Sequence, residues 1–139
     1  MGKFGEDILT NDLDADDKVI SKPEIKDYAE TKTAPESDTN VLTLDIVNGN
    51  VFSTLLDENV TTLNFSNPSA TGKACSFTWI MTQHSTAVTV AWPGSVAWDS
   101  GTAPTISEDD AVYVFTFLTV DAGTSWLGFL AGSKMAVPA

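Results

Sequence analysis

The chain has no arginine, a single cysteine and a single histidine in 139 residues. Each scarcity excludes a class of chemistry. Phosphate backbones are held by Lys and Arg, and guanine is read by the two-pronged arginine contact. With seven lysines against nineteen acids and a net charge of −12, nucleic acid is excluded as a partner. One cysteine, Cys75, permits no internal disulfide and no cysteine zinc site. One histidine adds too few ligands for a transition-metal centre, so no metal and no other cofactor is expected. No apolar run approaches the roughly 20 residues that span a bilayer, so no membrane contact is expected. The opening "MGKFGEDILT" lacks the basic start, apolar block and cleavage site of a secretory leader. Glu6 also stands where a myristoylation signal needs Ser or Thr. The expectation is a soluble product made in a cytoplasm.

What is present falls into two parts. Residues 1–40 carry eleven acids and five lysines, whereas the remaining 99 carry eight acids and two lysines among many Val, Thr, Phe and Trp. In the first part Ile8, Leu13, Val19, Ile20, Ile25 and Tyr28 are too scattered to close a core. We therefore divide the chain into an extended acidic arm (1–40), a β-domain (41–135) and a short tail (136–139). A short helix is expected from Pro23 to Glu30, because proline is well tolerated at a first helical position.

From Val41 the hydrophobic period becomes two. "VLTLDIV" sets Leu42, Leu44 and Ile46 against Thr43 and Asp45, and "NGN" at 48–50 carries the Asn-Gly signal of a hairpin. "VFSTLL" and "VTTLNFS" continue the pattern. "ACSFTWIMT" places Cys75, Phe77, Trp79 and Met81 on one face, and the polar "QHST" reads as a hairpin tip. In "AVTVAW" Val88, Val90 and Trp92 share a face; "AVYVFTFLTV", the Gly-containing turn "DAGTS" and "WLGFLAG" follow. Short strands at regular spacing without a helical period predict an all-β fold: a single antiparallel β-sandwich or jelly roll. Threonine fills the outward positions and little lysine protects the edges, so another chain is expected to cover them.

Few residues offer chemistry. "VAWDSGTA" has the local pattern of a pepsin-like catalytic turn, which works only as two carboxylates about 3 Å apart sharing a proton. A single copy of the motif would have to dimerise, and "WLGFLAG" is a poor substitute for the crossing apolar segment such a site needs. Asp-Ser-Gly is also a common turn, because Asp bonds forward to backbone amides and Gly accepts positive φ. A Ser-His-Asp triad needs a nucleophile held by the histidine and a carboxylate to orient it, and the adjacency of Ser85 to His84 in sequence does not by itself produce that geometry, so His84 reads as a solvated turn residue. "NDLDADDK" matches three calcium-loop positions with Asp12, Asp14 and Asp16, but Asp17 replaces the glycine and Pro23 the bidentate glutamate. "ATGKACS" lacks the first glycine and the hydroxyl of a phosphate loop. "NVT" and "NFS" matter only in a secretory pathway. Trp79, Trp92, Trp98 and Trp126, with Tyr113, Phe115, Phe117 and Phe129, could build a stacking platform for sugars, but Trp79 and Trp92 share faces with Phe77, Met81, Val88 and Val90 and read as core. Trp98, in a loop beside Asp99, reads as the exposed one, and the two are candidate loop contacts for a glycan.

"KPEIKDYAET", "LDIVNGNVFSTLLDENVTTLNFSNPSATGKACSFTWIMTQ", "VTVAWPGSVAWDSGTAPTIS" and "VYVFTFLTVDAGTSWLGFLAG" together resemble a family of small β-rich virion proteins of tailed bacteriophages, abundant in marine phages. The β-domain also resembles the C-terminal module of some phage tail-fibre-like proteins. The resemblance runs from about Lys22 to Gly132, and its most specific pieces are "NFSNP", "WPGSVAW", "GTAPT" and "DAGTSW". None is catalytic, and in the family pattern the position of Asp99 is often not acidic, which makes this stretch a β-corner. The resemblance implies a non-enzymatic virion protein, made in the host cytoplasm and exposed on the virion surface. A free-standing domain with an arm suits a capsid decoration, or cement, protein. Its partners would be the major capsid protein or another virion protein and further copies of itself, with a trimer favoured. Pro23, Ile25 and Tyr28 are then the arm's candidate contacts. The alternative is the tip of a tail fibre or appendage, binding a host receptor or glycan through the loop of Trp98 and Asp99.

Overall fold

The computed structural model describes residues 15–16 and 18–136. Ile8, Leu13, Asp12, Asp14 and Asp17 of the arm, and residues 137–139 of the tail, lie outside them. The strands are β1 (Lys32–Thr33), β2 (Val41–Asp45), β3 (Val51–Leu56), β4 (Thr62–Ser66), β5 (Cys75–Gln83), β6 (Val96–Trp98), β7 (Val112–Thr119) and β8 (Trp126–Met135). They form a six-stranded sheet in the order β1-β3-β5-β7-β8-β6 and a two-stranded sheet of β2 and β4. The all-β expectation holds, and the two sheets enclose one core.

The pairing departs from the antiparallel sandwich expected. Among the described residues β1/β3, β2/β4, β3/β5 and β6/β8 run parallel, and only β5/β7 and β7/β8 are antiparallel. From β1 to β5 the chain changes sheet at every strand, so like-directed strands stack in both layers. Segment 88–91 then returns to the small layer. There the Val60 N–H donates to the Thr89 carbonyl and the Ala91 N–H to the Val60 carbonyl, each at 2.8 Å, and the Asn59 side chain accepts from both the N–H and the hydroxyl of Thr89.

This winding explains why Asn48-Gly49 is not a hairpin. Ile46–Asn48 is a 3-10 turn capped by the Asp45 carboxylate, which accepts from the Val47 N–H at 3.1 Å, and it carries the chain from one layer to the other. Gly49 has extended backbone (φ 161°), so no left-handed turn requires it. Close approach does: a Cβ there would lie 2.6 Å from the Thr31 carbonyl oxygen, the acceptor for the Asn50 and Val51 N–H groups. The tight turn sits elsewhere, at Asp38–Val41, where Thr39 and Asn40 both have positive φ and Asp38 and Val41 exchange backbone hydrogen bonds of 2.9 and 3.0 Å. Asn40 then gathers the neighbouring loop, its N–H donating to the Glu58 carboxylate and its amide to the Asn59 carbonyl.

The period-two reading of the faces is accurate. Leu42 and Leu44, Leu63, Phe52 and Leu56, Phe77, Trp79 and Met81, and Tyr113, Phe115 and Phe117 are buried, while Cys75 is half-buried at the rim of the core. Phe65, Phe77, Phe117 and Trp126 meet with ring centroids 4.7 to 5.4 Å apart. Three of these pairs, Phe65–Phe77, Phe65–Trp126 and Phe77–Trp126, are edge-to-face, an arrangement worth about 1 kcal/mol each beyond the buried area. Two polar groups are held inside by partners. The Trp79 indole N–H donates to the Thr54 hydroxyl at 3.1 Å, and Gln83, 1 % exposed, is bound on every side. Its amide donates to the carbonyls of Val88 and Ile106 and its carbonyl accepts from the Val88 N–H. The expected hairpin tip at "QHST" is therefore a crossover pinned by Gln83, with His84 and Ser85 exposed on it and the Ser85 hydroxyl 3.1 Å from His84 Nδ1.

At the opposite end the "DAGTS" turn joins β7 to β8. The Asp121 carboxylate accepts from the Ser125 N–H at 2.9 Å and the Thr119 hydroxyl at 2.8 Å, and these bonds, the Ser125 amide first, hold its pKa below the ordinary 3.8. Lys134, near the end of β8, pairs with Glu108 at 2.8 Å, a contact that raises the lysine pKa.

Candidate functional site

Three expectations about the site meet the structure differently. The helix expected at Pro23–Glu30 is absent; that stretch has no helix or strand, and its side chains face solvent throughout. Nothing buries an apolar face for it, so a single favourable proline does not repay the nucleation cost. Pro23, Ile25 and Tyr28 are accordingly exposed, Ile25 to 65 % and Tyr28 to 69 %. The first paired strand, β1, lies inside the stretch assigned to the arm.

Trp98 is the second case. It does not stand on an exposed loop. It ends strand β6 and is half-buried, with its ring 4.8 Å from Trp92 and 5.8 Å from Phe117. Its cross-strand neighbour is Gly128, where an added Cβ would come within 2.9 Å of the indole. Glycine is thus the only residue that lets the indole lie flat against β8.

Asp99 is the third. It opens the 3-10 turn Asp99–Gly101, in which Ser100 has φ 54° and the Thr102 N–H donates to the Asp99 carbonyl. The turn takes the chain off the edge of the sheet, as the β-corner reading expected. Its carboxylate is exposed and accepts from the adjacent Ser100 hydroxyl at 3.4 Å.

Together these elements form a groove of about 620 Å³, lined chiefly by Trp98, Asp99, Pro104, Leu127, Phe129 and Leu130. Among the described residues Asp99 is the one charged group in the lining, so these residues offer no carboxylate pair there. The groove exists because β6 is short: it covers β8 only from Trp126 to Gly128, and among the described residues no strand lies beside the outer edge of β8 beyond Gly128. Leu127 and Phe129, 48 % and 52 % exposed, point outward from β8. Phe129 is one of the aromatics the sequence offered for a stacking platform; Leu127 was not singled out, although "WLGFL" carries the signal, since apolar residues occupy both faces of an alternating strand.

The structure brings Trp98 and Asp99 together at this groove and leaves Pro23, Ile25 and Tyr28 apart from it. Among the described residues no helix is long and apolar enough to cross a membrane, and no group of three or more His, Cys, Asp or Glu side chains is placed to hold a metal ion. Comparison with protein-family models, curated proteins and solved structures finds no match to this chain.

Proposed function

We propose that the chain is a non-enzymatic structural protein of a bacteriophage virion, a capsid decoration protein that docks on the outside of the head and stabilises subunit junctions. The observation that carries this reading is the arm. Ile25 and Tyr28 are large apolar side chains mostly exposed to solvent, on a segment without helix or strand, and a docking segment accounts for apolar residues placed there. The motifs from Lys22 to Gly132 that resemble small phage virion proteins supply the setting, with the major capsid protein as partner.

The mechanism is clamping. A compact, sandwich-like two-layer domain sits over a junction while arms tie it to its neighbours, and burial of the junction under the added domain opposes its opening. Several modest contacts acting together give firm attachment through effective concentration. A homotrimer at a local three-fold position fits this geometry. The second reading, an appendage tip that binds a host receptor or glycan, is favoured by the groove beside Trp98 and Asp99. Copy number separates the two: quantitative mass spectrometry of purified virions finds hundreds of copies for a decoration protein and at most tens for an appendage.

A further inference from the structure

The groove and the arm are complementary. Of the chain's seven lysines, four (Lys18, Lys22, Lys26 and Lys32) fall within residues 18–32, against three acids, Glu24, Asp27 and Glu30. From residue 33 onward there are ten acids and only Lys73 and Lys134, and Lys134 is paired with Glu108. Residues 18–32 therefore carry one more lysine than acids within an arm that is acidic overall, with Lys18 4.0 Å from Asp16, and they carry Val19, Ile20, Ile25 and Tyr28 exposed. The groove offers the converse: an apolar wall of Leu127, Phe129 and Leu130, one carboxylate at Asp99, and an open stretch of β8 edge. Open edges of this kind accept an extended segment as an added strand, with backbone hydrogen bonds giving affinity and flanking side chains giving specificity.

We propose that residues 18–30 of one copy occupy the β6–β8 groove of a second copy. Ile25 and Tyr28 supply the apolar contacts, and Lys22 and Lys26 face Asp99. The arm does not take its own groove here, since every described side chain from Lys18 to Lys32 faces solvent. Its root, β1, and the groove lie at opposite ends of the six-stranded sheet. A link between copies is then head-to-tail, the kind of contact that closes into a ring when the rotation allows. This inference rests on the reading of the arm as a docking segment: residues 18–30 tie each copy to its neighbour, and the linked copies hold to the capsid through their combined contacts.

The test uses the full chain in the absence of capsids. Light scattering after size exclusion is expected to show an oligomer that weakens as salt rises, because charge pairing contributes to it. Full-length Ile25→Asp/Tyr28→Asp and full-length Phe129→Asp, all at exposed positions, are each expected to keep the wild-type circular dichroism and to raise the self-association Kd by about tenfold or more. Mixing Ile25→Cys protein with Phe129→Cys protein under oxidising conditions is expected to give a disulfide-linked dimer that neither variant gives alone at the same yield. A wild-type chain that is monomeric at ~100 μM, a concentration at which an interaction of micromolar Kd is saturated, overturns the proposal. So does self-association that both surface variants leave unchanged. Capsid binding is a separate readout: an oligomer that ignores capsids refutes decoration alone, and a monomer that saturates capsids refutes the arm-to-groove link alone.

Discussion

At the residue scale, the side chains that matter most to this fold are those whose role depends on a distant partner. Gln83 is buried with its three bonds to Val88 and Ile106, so Gln83→Ala strands backbone groups in the core. Each buried polar group left without a partner costs about 1–3 kcal/mol, and a total loss of about 3 kcal/mol is expected in urea unfolding. Trp98 packs on Trp92, Phe115 and Phe117. Trp98→Ala is therefore expected to cost about 3 kcal/mol, the low end for an aromatic truncation, because the ring is only half-buried. A Trp98→Ala protein that melts like wild type would show that the indole is a surface platform instead. Asp121 gives a pH signature. Its folded pKa is depressed by the Ser125 amide and the Thr119 hydroxyl, so its contribution is fully present above the unfolded value near 3.8 and is lost as pH falls through the lower folded value. Asp121→Asn removes that component. The stability gap between wild type and variant is expected to narrow as urea midpoints are followed down through this acidic range.

At the scale of elements, alternation read the faces correctly and could not read the neighbours. Phe77, Trp79 and Met81 point inward for the same reason whether the adjacent strand runs parallel or antiparallel, because side-chain period is a property of one strand. The parallel pairing of β2 with β4 is set by a chain that changes layer between them, a decision made by contacts many residues apart. Asn48-Gly49 misled because glycine has two uses. The local signal suggests positive φ, whereas the structure needs room for the Thr31 carbonyl. The groove was half legible: Asp-Ser-Gly was visible as a turn and Phe129 as a candidate platform aromatic, whereas the outward placing of Leu127 was not read, and the pairing of Trp98 with Gly128 joins positions 30 apart with no local sign. These pairings also fix where the arm can be cut. Removing residues 1–29 spares Thr31, β1 and Asn40, and the remaining chain is expected to fold with nearly the wild-type Tm. Removing residues 1–40 takes away β1 and the Asn40 contacts with Glu58 and Asn59, and a clearly lower Tm is expected by calorimetry.

At the scale of the whole molecule, charge and shape divide the work. An acidic β-domain with one open, apolar edge carries a lysine-bearing arm whose apolar residues are kept in solvent, and a molecule so built is suited to repetition against its neighbours on a surface. Strong net negative charge resists unwanted association; the arm (five lysines, eleven acids) and the remaining 99 residues (two lysines, eight acids) are both acidic, so charge attraction between copies comes only from local pairs such as the lysines of 18–32 with Asp99. The central claim is attachment to a capsid through that arm, and the most direct measurement is co-sedimentation of the purified chain with undecorated capsids, beside the version lacking residues 1–29. The account predicts saturation at hundreds of copies per capsid for the full chain and loss of most binding for the shortened one. Binding to host cells with none to capsids would contradict it, as would capsid binding that survives removal of the arm intact.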